Sequence, residues 1–364
     1  MSHQPLRVID ANLNRSSEGL RVLEDVARFL LNDAELSQRL KTLRHDLAQE
    51  TKSLNIRLLS HRDSERDVGA YMGASYEPEA KQSLRDLSSL VTANAKRVEE
   101  SLRVIEELAK LPELSSMLNS ASFQQMRFAL YTLERDLVSR IQRRDKMERM
   151  TGLYVILDRQ FLAGRDELEI AGQIIKGGAR VIQLRDKPRF YQDKRGELLL
   201  IAQKLKELCS QADVLFIIND YLDLAMAVDA DGLHVGQEDL PLPIIRRELP
   251  IDKIVGCSVT TLSQGKKAQR EGADYVAVGS IFATATKREA TVVGVDRIKK
   301  LKGSVSIPVV AIGGINQSNI GEVVSAGADA VAVISAVLGE EDVRKAVQKL
   351  IAKMDLAKGE CQNI

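Results

Sequence analysis

Tryptophan is absent from this sequence, and aromatic residues make up only 4% of it. Surfaces that bind single-stranded nucleic acid depend on aromatic side chains for base stacking, so their scarcity argues against that class of protein. The formal net charge is only +1, which gives no general attraction for a polyanion. We therefore expect no nucleic acid among the partners.

Cysteines and long apolar runs are also scarce. Cys209, Cys257 and Cys361 show none of the paired spacings that are typical of disulfide frameworks or zinc sites. Residues 1–5 do not resemble a signal peptide, and no apolar run reaches the roughly 20 residues that a membrane-spanning helix needs. We expect a cytoplasmic protein with no membrane partner.

What is present divides into two parts. The chain has 364 residues, enough for more than one core. The first part is charged, poor in glycine and helical in its periodicity, whereas apolar β-type runs dominate the second. We predict an all-helical domain over residues 1–146 and an α/β domain over 150–357, joined by a helical connection at 140–150.

The second part has the strand–helix alternation of a parallel barrel. Eight β-type runs are separated by helical patterns, at residues 153–157, 180–184, 214–218, 232–235, 254–257, 275–278, 309–312 and 330–334. Eight strands alternating with helices over about two hundred residues predict a (β/α)8 TIM barrel. Such barrels carry their chemistry on the loops that follow the strands.

Polar residues follow most of these strands. Gln183, Arg185 and Lys187 alternate at the end of the second strand and should project to one side. The other candidates after strand ends are Asn219, Asp220, Asp239, Ser258, Thr284, Thr286, Lys287, Gly313, Gly314, Ile334 and Ser335. Taken singly, each has a structural explanation, such as helix capping by Asp220 or Asp239. Their recurrence at one end of successive strands predicts a single site.

The residue types indicate two anionic groups. Asp220 and Asp239 offer oxygen ligands for Mg²⁺. Three basic side chains would neutralise a diphosphate, namely Arg185, Lys187 and Lys287. The glycines after the seventh strand, with 334–335, would hold a phosphate through main-chain donors.

Several short motifs resemble the thiamine-phosphate synthase family. They are QLRDK at 183–187, ND at 219–220, HVGQED ending at Asp239, GCS at 256–258, TATK at 284–287, AIGGI at 311–315 and VIS at 333–335. The resemblance covers about residues 151–356. One departure is Ala283, where the family often has proline. The resemblance implies condensation of hydroxymethylpyrimidine diphosphate with hydroxyethylthiazole phosphate, which gives thiamine phosphate and pyrophosphate.

The same resemblance implies a role for each residue. Gln183 would contact the pyrimidine, and Ser258 would lie near the reacting centre. Asp220 and Asp239 would bind Mg²⁺. The diphosphate would be bound by Arg185, Lys187, Asn219 and Lys287. The thiazole ring would contact Thr284 and Thr286, and its phosphate would be bound by Gly314, Ile334 and Ser335. His234 is interpreted as structural. The alternatives are a related thiazole tautomerase, which would need a base instead of a metal–diphosphate site, and a pure binding module.

The first part contains an internal duplication. Residues 11–27 recur as 93–109, and residues 42–47 echo 132–137. Two helical hairpins in a four-helix-like bundle are predicted, and helical spacing places Leu20, Leu23, Ala27 and Leu30 on one apolar face. Asn12 and Asn94 are placed at helix starts, where they would cap the helix, form buried amides or line a pocket. The repeated charges, Arg15, Glu18, Arg21, Glu24 and their counterparts, would form exposed salt-bridge ladders or a functional surface.

This part resembles a domain that precedes the barrel in some thiamine-phosphate synthases. That family has been proposed to replace the hydroxymethylpyrimidine phosphate kinase. The sequence has no Gly-x-x-x-x-Gly-Lys-Ser/Thr loop for ATP phosphates. The competing hypothesis is a regulatory or dimerisation module, which would make a homo-oligomer. The charged loop at 61–69 would be a solvated connector or an anion-binding loop.

Overall fold

The computed structural model describes residues 4–62, 86–162, 164–187, 195–284 and 291–362. It divides into two compact units, Met1–Gln142 and Arg143–Ile364. Among the described helices, none has both the length and the apolarity needed to cross a membrane.

The described part of the first unit is helical. Its helices are α1 (Gln4–Asp25), α2 (Ala34–Glu50), α3 (Asn55–Ser60), α4 (Leu87–Leu108) and α5 (Ser120–Arg149), with a π-helical turn at Val26–Leu30 and a 3-10 turn at Lys52–Leu54. Helix α5 continues past residue 142, so the predicted helical connection is confirmed. The loop at 61–69 lies outside the described residues after Arg62.

The duplication is visible in matching hydrogen bonds. Asn12 Nδ2 donates to the Val8 carbonyl at 2.8 Å, and Asn94 Nδ2 donates to the Leu90 carbonyl at 2.9 Å. Both asparagines are buried within helices, so their placement at helix starts is wrong. The cap of α4 is instead Asp86, whose side chain accepts from Ser89 N. The interpretation as buried amides fits this geometry.

The apolar faces meet in one core. Leu20, Leu23 and Ala27 are buried, as are their counterparts Leu102, Ile105 and Ala109. Leu30, predicted to share that face, is 47% exposed. The π-helical turn at Val26–Leu30 changes the angular spacing after α1, which explains the error.

The repeated acids Glu24 and Glu106 are buried rather than part of an exposed ladder. Arg44 Nε donates to Glu24 at 2.9 Å, and Arg127 donates to Glu106 through two nitrogens at 3.1 and 2.9 Å. The predicted pairs along each helix do form, since Arg21 lies 3.6 Å from Glu24 and Arg103 donates to Glu106 at 2.8 Å. Only the predicted exposure of the two acids is wrong, because each also faces an arginine of a neighbouring helix.

The second unit is a closed parallel barrel, which confirms the predicted fold class. The strands pair in sequence order and β8 closes on β1. They are β1 (Gly152–Asp158), β2 (Val181–Arg185), β3 (Leu215–Asn219), β4 (Gly232–Val235), β5 (Ile254–Val259), β6 (Tyr275–Val278), β7 (Val309–Ile312) and β8 (Ala330–Val333).

Helices surround the barrel, and two apolar layers hold it together. The helices are α6 (Arg159–Leu162), α7 (Glu167–Gly177), α8 (Arg195–Gln211), α9 (Leu222–Ala227), α10 (Leu242–Glu248), α11 (Leu262–Arg270), α12 (Asp296–Lys302), α13 (Ile320–Ser325), α14 (Ser335–Leu338) and α15 (Val343–Gln362). One set of strand residues, including Leu184, packs against these helices. The alternate set, including Tyr154 and Tyr275, fills the barrel interior.

The second unit begins with the last turns of α5. Arg143 Nε donates to buried Asp274 at 2.9 Å, and Arg143 Nη1 donates to the Ile251 carbonyl at 2.8 Å. Met150 is fully buried in the interior layer. These residues close the barrel at the amino-terminal ends of the strands, opposite the predicted site.

Candidate active site

A cavity of about 490 Å³ lies at the carboxyl ends of the strands. Twelve of the fourteen candidate site residues line it, namely Gln183, Arg185, Lys187, Asn219, Asp220, Asp239, Ser258, Thr284, Gly313, Gly314, Ile334 and Ser335. The other two, Thr286 and Lys287, lie outside the described residues. The structure thus brings together every predicted site residue that it describes, while their individual roles stay predictions.

The end of β2 projects into the cavity as its alternation predicts. Gln183 is only 2% exposed, and Arg185 pairs with Asp158, which is completely buried. Asp158 lies beside Arg185 in the β1–β2 register, so the fold itself sets this pairing. Lys187 extends further, with its Nζ 3.1 Å from Asp220 Oδ2. Asp186, on the opposite side, accepts from Arg159 at 3.2 Å.

Asp220 and Asp239 both line the cavity and lie close enough for the Asp239 charge to act on Asp220. Burial raises the pKa of Asp220 above its usual value; Lys187 opposes that rise and Asp239 adds to it. Neither aspartate caps a helix, because α9 and α10 begin after Tyr221 and Pro241 without side-chain capping bonds. Two carboxylates this close need a shared proton or a cation.

The donor set of this pair fits Mg²⁺. Hard carboxylate oxygens are its preferred protein ligands, and it is commonly held by one or two carboxylates with substrate phosphates. Within the described ranges, no group of three or more His, Cys, Asp or Glu side chains could hold a metal ion. Asp220 and Asp239 would therefore leave most of the coordination positions to other oxygens.

Glycines form the opposite side of the cavity. Gly313 and Gly314 have φ values of +101° and +67°, in the left-handed region that favours glycine. A Cβ on Gly314 would lie only 2.4 Å from the Ala283 carbonyl oxygen. Ile334 and Ser335 adjoin them at the end of β8. The backbone here can approach a ligand closely.

Two polar residues inside the barrel, Tyr154 and Tyr275, carry no motif signal in the sequence. Tyr154 accepts from Gln183 Nε2 at 2.9 Å, and His234 contacts both Tyr275 and Ser258. Burial lowers the pKa of His234 to about 4, so the imidazole is neutral at pH 7. Both tyrosines occur in apolar runs, and only the strand register shows that they face inwards. Asp158, the partner of Arg185, gave no motif signal either.

Comparisons with known proteins agree with this geometry. The family model described as thiamine monophosphate synthase matches residues 153–337, and the model of the ThiD2 family matches residues 7–136. The thiamine-phosphate synthase of Synechocystis sp. is 37% identical over 351 residues, which cover 96% of each chain. That of Synechococcus sp. (strain CC9311) is 38% identical over 354 residues, with 95% of each chain covered.

A solved structure, thiamine phosphate pyrophosphorylase from Pyrococcus furiosus, is 39% identical with a TM-score of 0.53. It covers 58% of this chain and 98% of its own, the extent expected for a barrel alone. The agreement between the barrel, its cavity and relatives that match nearly the whole chain leads to one conclusion: this chain belongs to the thiamine-phosphate synthase family and is a transferase.

Proposed function

We propose that the barrel joins hydroxymethylpyrimidine diphosphate to hydroxyethylthiazole phosphate, forming thiamine phosphate and pyrophosphate. The observation that carries this proposal is the composition of the cavity at the carboxyl ends of the strands. A carboxylate pair, basic side chains, a buried amide and a glycine cradle line it together. These are complementary to a metal-bound diphosphate, a pyrimidine and a separate phosphate.

Gln183 suits the pyrimidine. One N–H of its amide donates to Tyr154, which leaves the carbonyl oxygen and the second N–H for a ligand. An aminopyrimidine edge offers an amino donor beside a ring-nitrogen acceptor, as adenine does, and an amide can bind such an edge through two hydrogen bonds. Burial of Gln183 strengthens this discrimination, because an unpaired amide there would be costly.

The reaction needs stabilisation of a leaving group more than acid–base chemistry. The bond from the pyrimidine methylene carbon to the diphosphate oxygen breaks, and its electron pair leaves with the diphosphate. The thiazole nitrogen then forms the new bond to that carbon. Mg²⁺, when bound by Asp220 and Asp239, would compensate the charge of the diphosphate. Arg185, held by Asp158, and Lys187 add fixed positive charge on the same side.

The geometry does not favour a thiazole tautomerase. That reaction requires a group that can take up a proton. His234 has Tyr275 and Ser258 at its two ring nitrogens, and its pKa is lowered to about 4 by burial. A neutral, doubly engaged imidazole is a poor general base.

Product formation tests the proposal. The full-length protein receives both phosphorylated substrates, with Mg²⁺ or with excess EDTA, and thiamine phosphate and pyrophosphate are quantified. We expect equal amounts of both products with Mg²⁺ and a loss of at least about a hundredfold without it. Metal-independent isomerisation of the thiazole substrate would support the tautomerase instead.

For the first unit, we infer a role in supplying the pyrimidine diphosphate, on the strength of its ThiD2-family match alone. The Asp220→Ala variant, impaired in the barrel, is given pyrimidine phosphate, ATP and Mg²⁺. Accumulation of the diphosphate would support this role. No diphosphate, together with self-association in sedimentation experiments, would support a module that forms a homo-oligomer.

A further inference from the structure

A continuous series of hydrogen bonds crosses the barrel interior. Gln183 Nε2 donates to Tyr154 Oη at 2.9 Å, and Tyr154 Oη lies 3.1 Å from Tyr275 Oη. Tyr275 Oη lies 3.0 Å from His234 Nδ1, and His234 Nε2 lies 2.9 Å from Ser258 Oγ. We refer to these five residues as the hydrogen-bond relay. Its ends, Gln183 and Ser258, both line the cavity.

Counting protons gives the relay a direction. An amide nitrogen can only donate, so Tyr154 Oη accepts from Gln183. The single proton of Tyr154 is then available for Tyr275, and that of Tyr275 for His234 Nδ1. Each hydroxyl accepts from one neighbour and donates to the next.

The direction of hydrogen-bond donation also determines which ring nitrogen of His234 carries the proton. A proton on His234 Nδ1 would leave the Tyr275 hydroxyl with two donors facing it and no acceptor, and Tyr275 is completely buried. Buried hydroxyls rarely remain without a partner. The proton therefore belongs on Nε2, which donates to Ser258 Oγ. The hydroxyl proton of Ser258 remains for an acceptor in the cavity.

We propose that Tyr154, Tyr275 and His234 are positioning residues that hold Ser258 as a hydrogen-bond donor towards the bound substrate. Gln183, at the other end, sets the direction of the relay by donating to Tyr154. The proposal rests on the proposed function, since it concerns how the barrel presents these two groups to its substrates. The relay transfers no net proton; it sets which atoms donate and which accept.

Gly256 supports this independently. A Cβ at that position would lie 2.0 Å from Tyr275 Cζ, 2.4 Å from its Oη and 2.5 Å from His234 Nδ1. Glycine within a strand weakens the strand and often marks a place where another group comes close to its backbone. Only glycine leaves room here for the Tyr275–His234 contact, in which the two rings stack at 29° with centroids 5.5 Å apart.

The tautomer of His234 is the first test. The sequence has four histidines, and replacing His3, His45 and His61 with glutamine leaves His234 as the single signal. In the full-length protein with ¹⁵N-labelled histidine, long-range ¹H–¹⁵N correlations at pH 7 identify the protonated nitrogen. We expect a proton on Nε2 only. A proton on Nδ1 would overturn the direction of the relay. This measurement needs no substrate, so it remains decisive even if the proposed function fails.

A double-mutant cycle tests whether the relay acts on the reaction. Tyr275→Phe keeps the ring and Ser258→Ala removes the hydroxyl; each should lower kcat about tenfold, with a smaller change in KM. The double variant should be no slower than Ser258→Ala, because nothing is left to orient. Multiplied losses would show independent effects and overturn the proposal. Tyr131→Phe in the first unit is the matched control and should leave kcat unchanged.

The outcomes separate the two proposals. Absence of product from the unmodified protein overturns the proposed function. Normal product formation together with multiplied losses overturns only the relay. If the unmodified protein forms product normally and Tyr275→Phe reacts at the same rate, the relay proposal alone is likewise overturned.

Discussion

Two pairs of acids in the core of the helical unit and at the edge of the barrel cavity have opposite surroundings. In the helical unit, Glu24 is paired with Arg44, and Glu106 with Arg127. In the barrel cavity, Asp220 faces another acid, Asp239, and burial raises its pKa. Opposite charges held together complete a packed interior, whereas like charges held together are costly unless a ligand compensates them. We therefore interpret the pairs of opposite charge as structural and the pair of like charges as part of a binding site.

The largest effect should come from Asp220→Asn. Removing this carboxylate should lower kcat about 10²–10³-fold, because it takes away charge that acts in the transition state. Stability should change little, because the lost pair with Lys187 is partly exposed and the change also removes repulsion from Asp239. Product assays at saturating Mg²⁺ and urea unfolding measure the two effects. Asp223→Asn, an exposed aspartate on α9, is the control. A loss under about tenfold in Asp220→Asn would contradict the assignment.

Arg127→Met tests whether the buried pair of opposite charges in the helical unit is structural. It removes the two hydrogen bonds that Arg127 donates to buried Glu106, which keeps its pair with the half-exposed Arg103, so the expected cost is about 1–3 kcal/mol. We expect that loss of stability in the helical unit, followed by circular dichroism in urea, and an unchanged kcat for product formation from supplied substrates. Arg135→Met, at an exposed pair with Asp136, should change stability by less than about 0.5 kcal/mol. Loss of barrel activity in Arg127→Met would show that this charge is not merely structural.

Gly314→Ala probes the phosphate side of the cavity. An added Cβ would press on the Ala283 carbonyl oxygen at a positive φ, so the loop must move. We expect KM for the thiazole phosphate to rise about tenfold, roughly 1.4 kcal/mol of binding. Gly327→Ala is matched, with φ of +92° and no neighbour closer than 4.0 Å. It should cost stability but leave KM unchanged. An equal KM in both variants would remove Gly314 from the proposed cradle.

The barrel was predictable because parallel strands buried on both faces form apolar runs. The position of the cavity followed from topology, since all strands of such a barrel end at one face. Asp220 and Ser258 could be selected as polar residues at those ends. Tyr154 and Tyr275 could not, because a tyrosine in an apolar run looks like core until the register shows which way it points.

The helical unit shows the limits of periodicity. Periodicity predicted a helical unit correctly, yet Leu30 is exposed because a π-helical turn interrupts the 3.6-residue spacing. Glu24 and Glu106 have the spacing of a solvated face, but each pairs with an arginine of a neighbouring helix in addition to one on its own helix. A helical pattern records which side a residue occupies, and not whether a neighbouring helix brings an opposite charge.

One pair in the helical unit challenges the comparison. Glu99 and Glu134 face each other as Asp220 and Asp239 do, and burial together with Glu134 raises the pKa of Glu99 to about 7. Within the described part of the chain, Glu99 Oε1 is buried without a hydrogen-bond partner. Lys96 and Arg127 are the nearby positive charges. We infer that this pair holds a shared proton and binds no ligand.

The sign of the pH dependence follows from that shift. The folded-state pKa lies above the ordinary value of 4.5, so the folded protein keeps a proton that the unfolded protein releases. Stability is therefore present at low pH and lost as the pH rises from about 4.5 to 7. Glu99→Gln, which mimics the protonated acid, should be more stable at pH 8 by no more than about 1 kcal/mol, because the pair is partly solvated. Urea unfolding at pH 5 and pH 8 would show the gain mainly at pH 8.

Glu100→Gln, at the exposed neighbouring position, is the control and should show no such dependence. Mg²⁺ separates the two kinds of acid pair. If Glu99 and Glu134 formed a cation site, Mg²⁺ would stabilise the helical unit at pH 8 and Glu99→Gln would abolish that effect. We expect no Mg²⁺ effect at this pair, because Lys96 and Arg127 already supply positive charge and a shared proton suffices. Like-charged acids then mark function only where the surrounding cavity leaves room for a ligand.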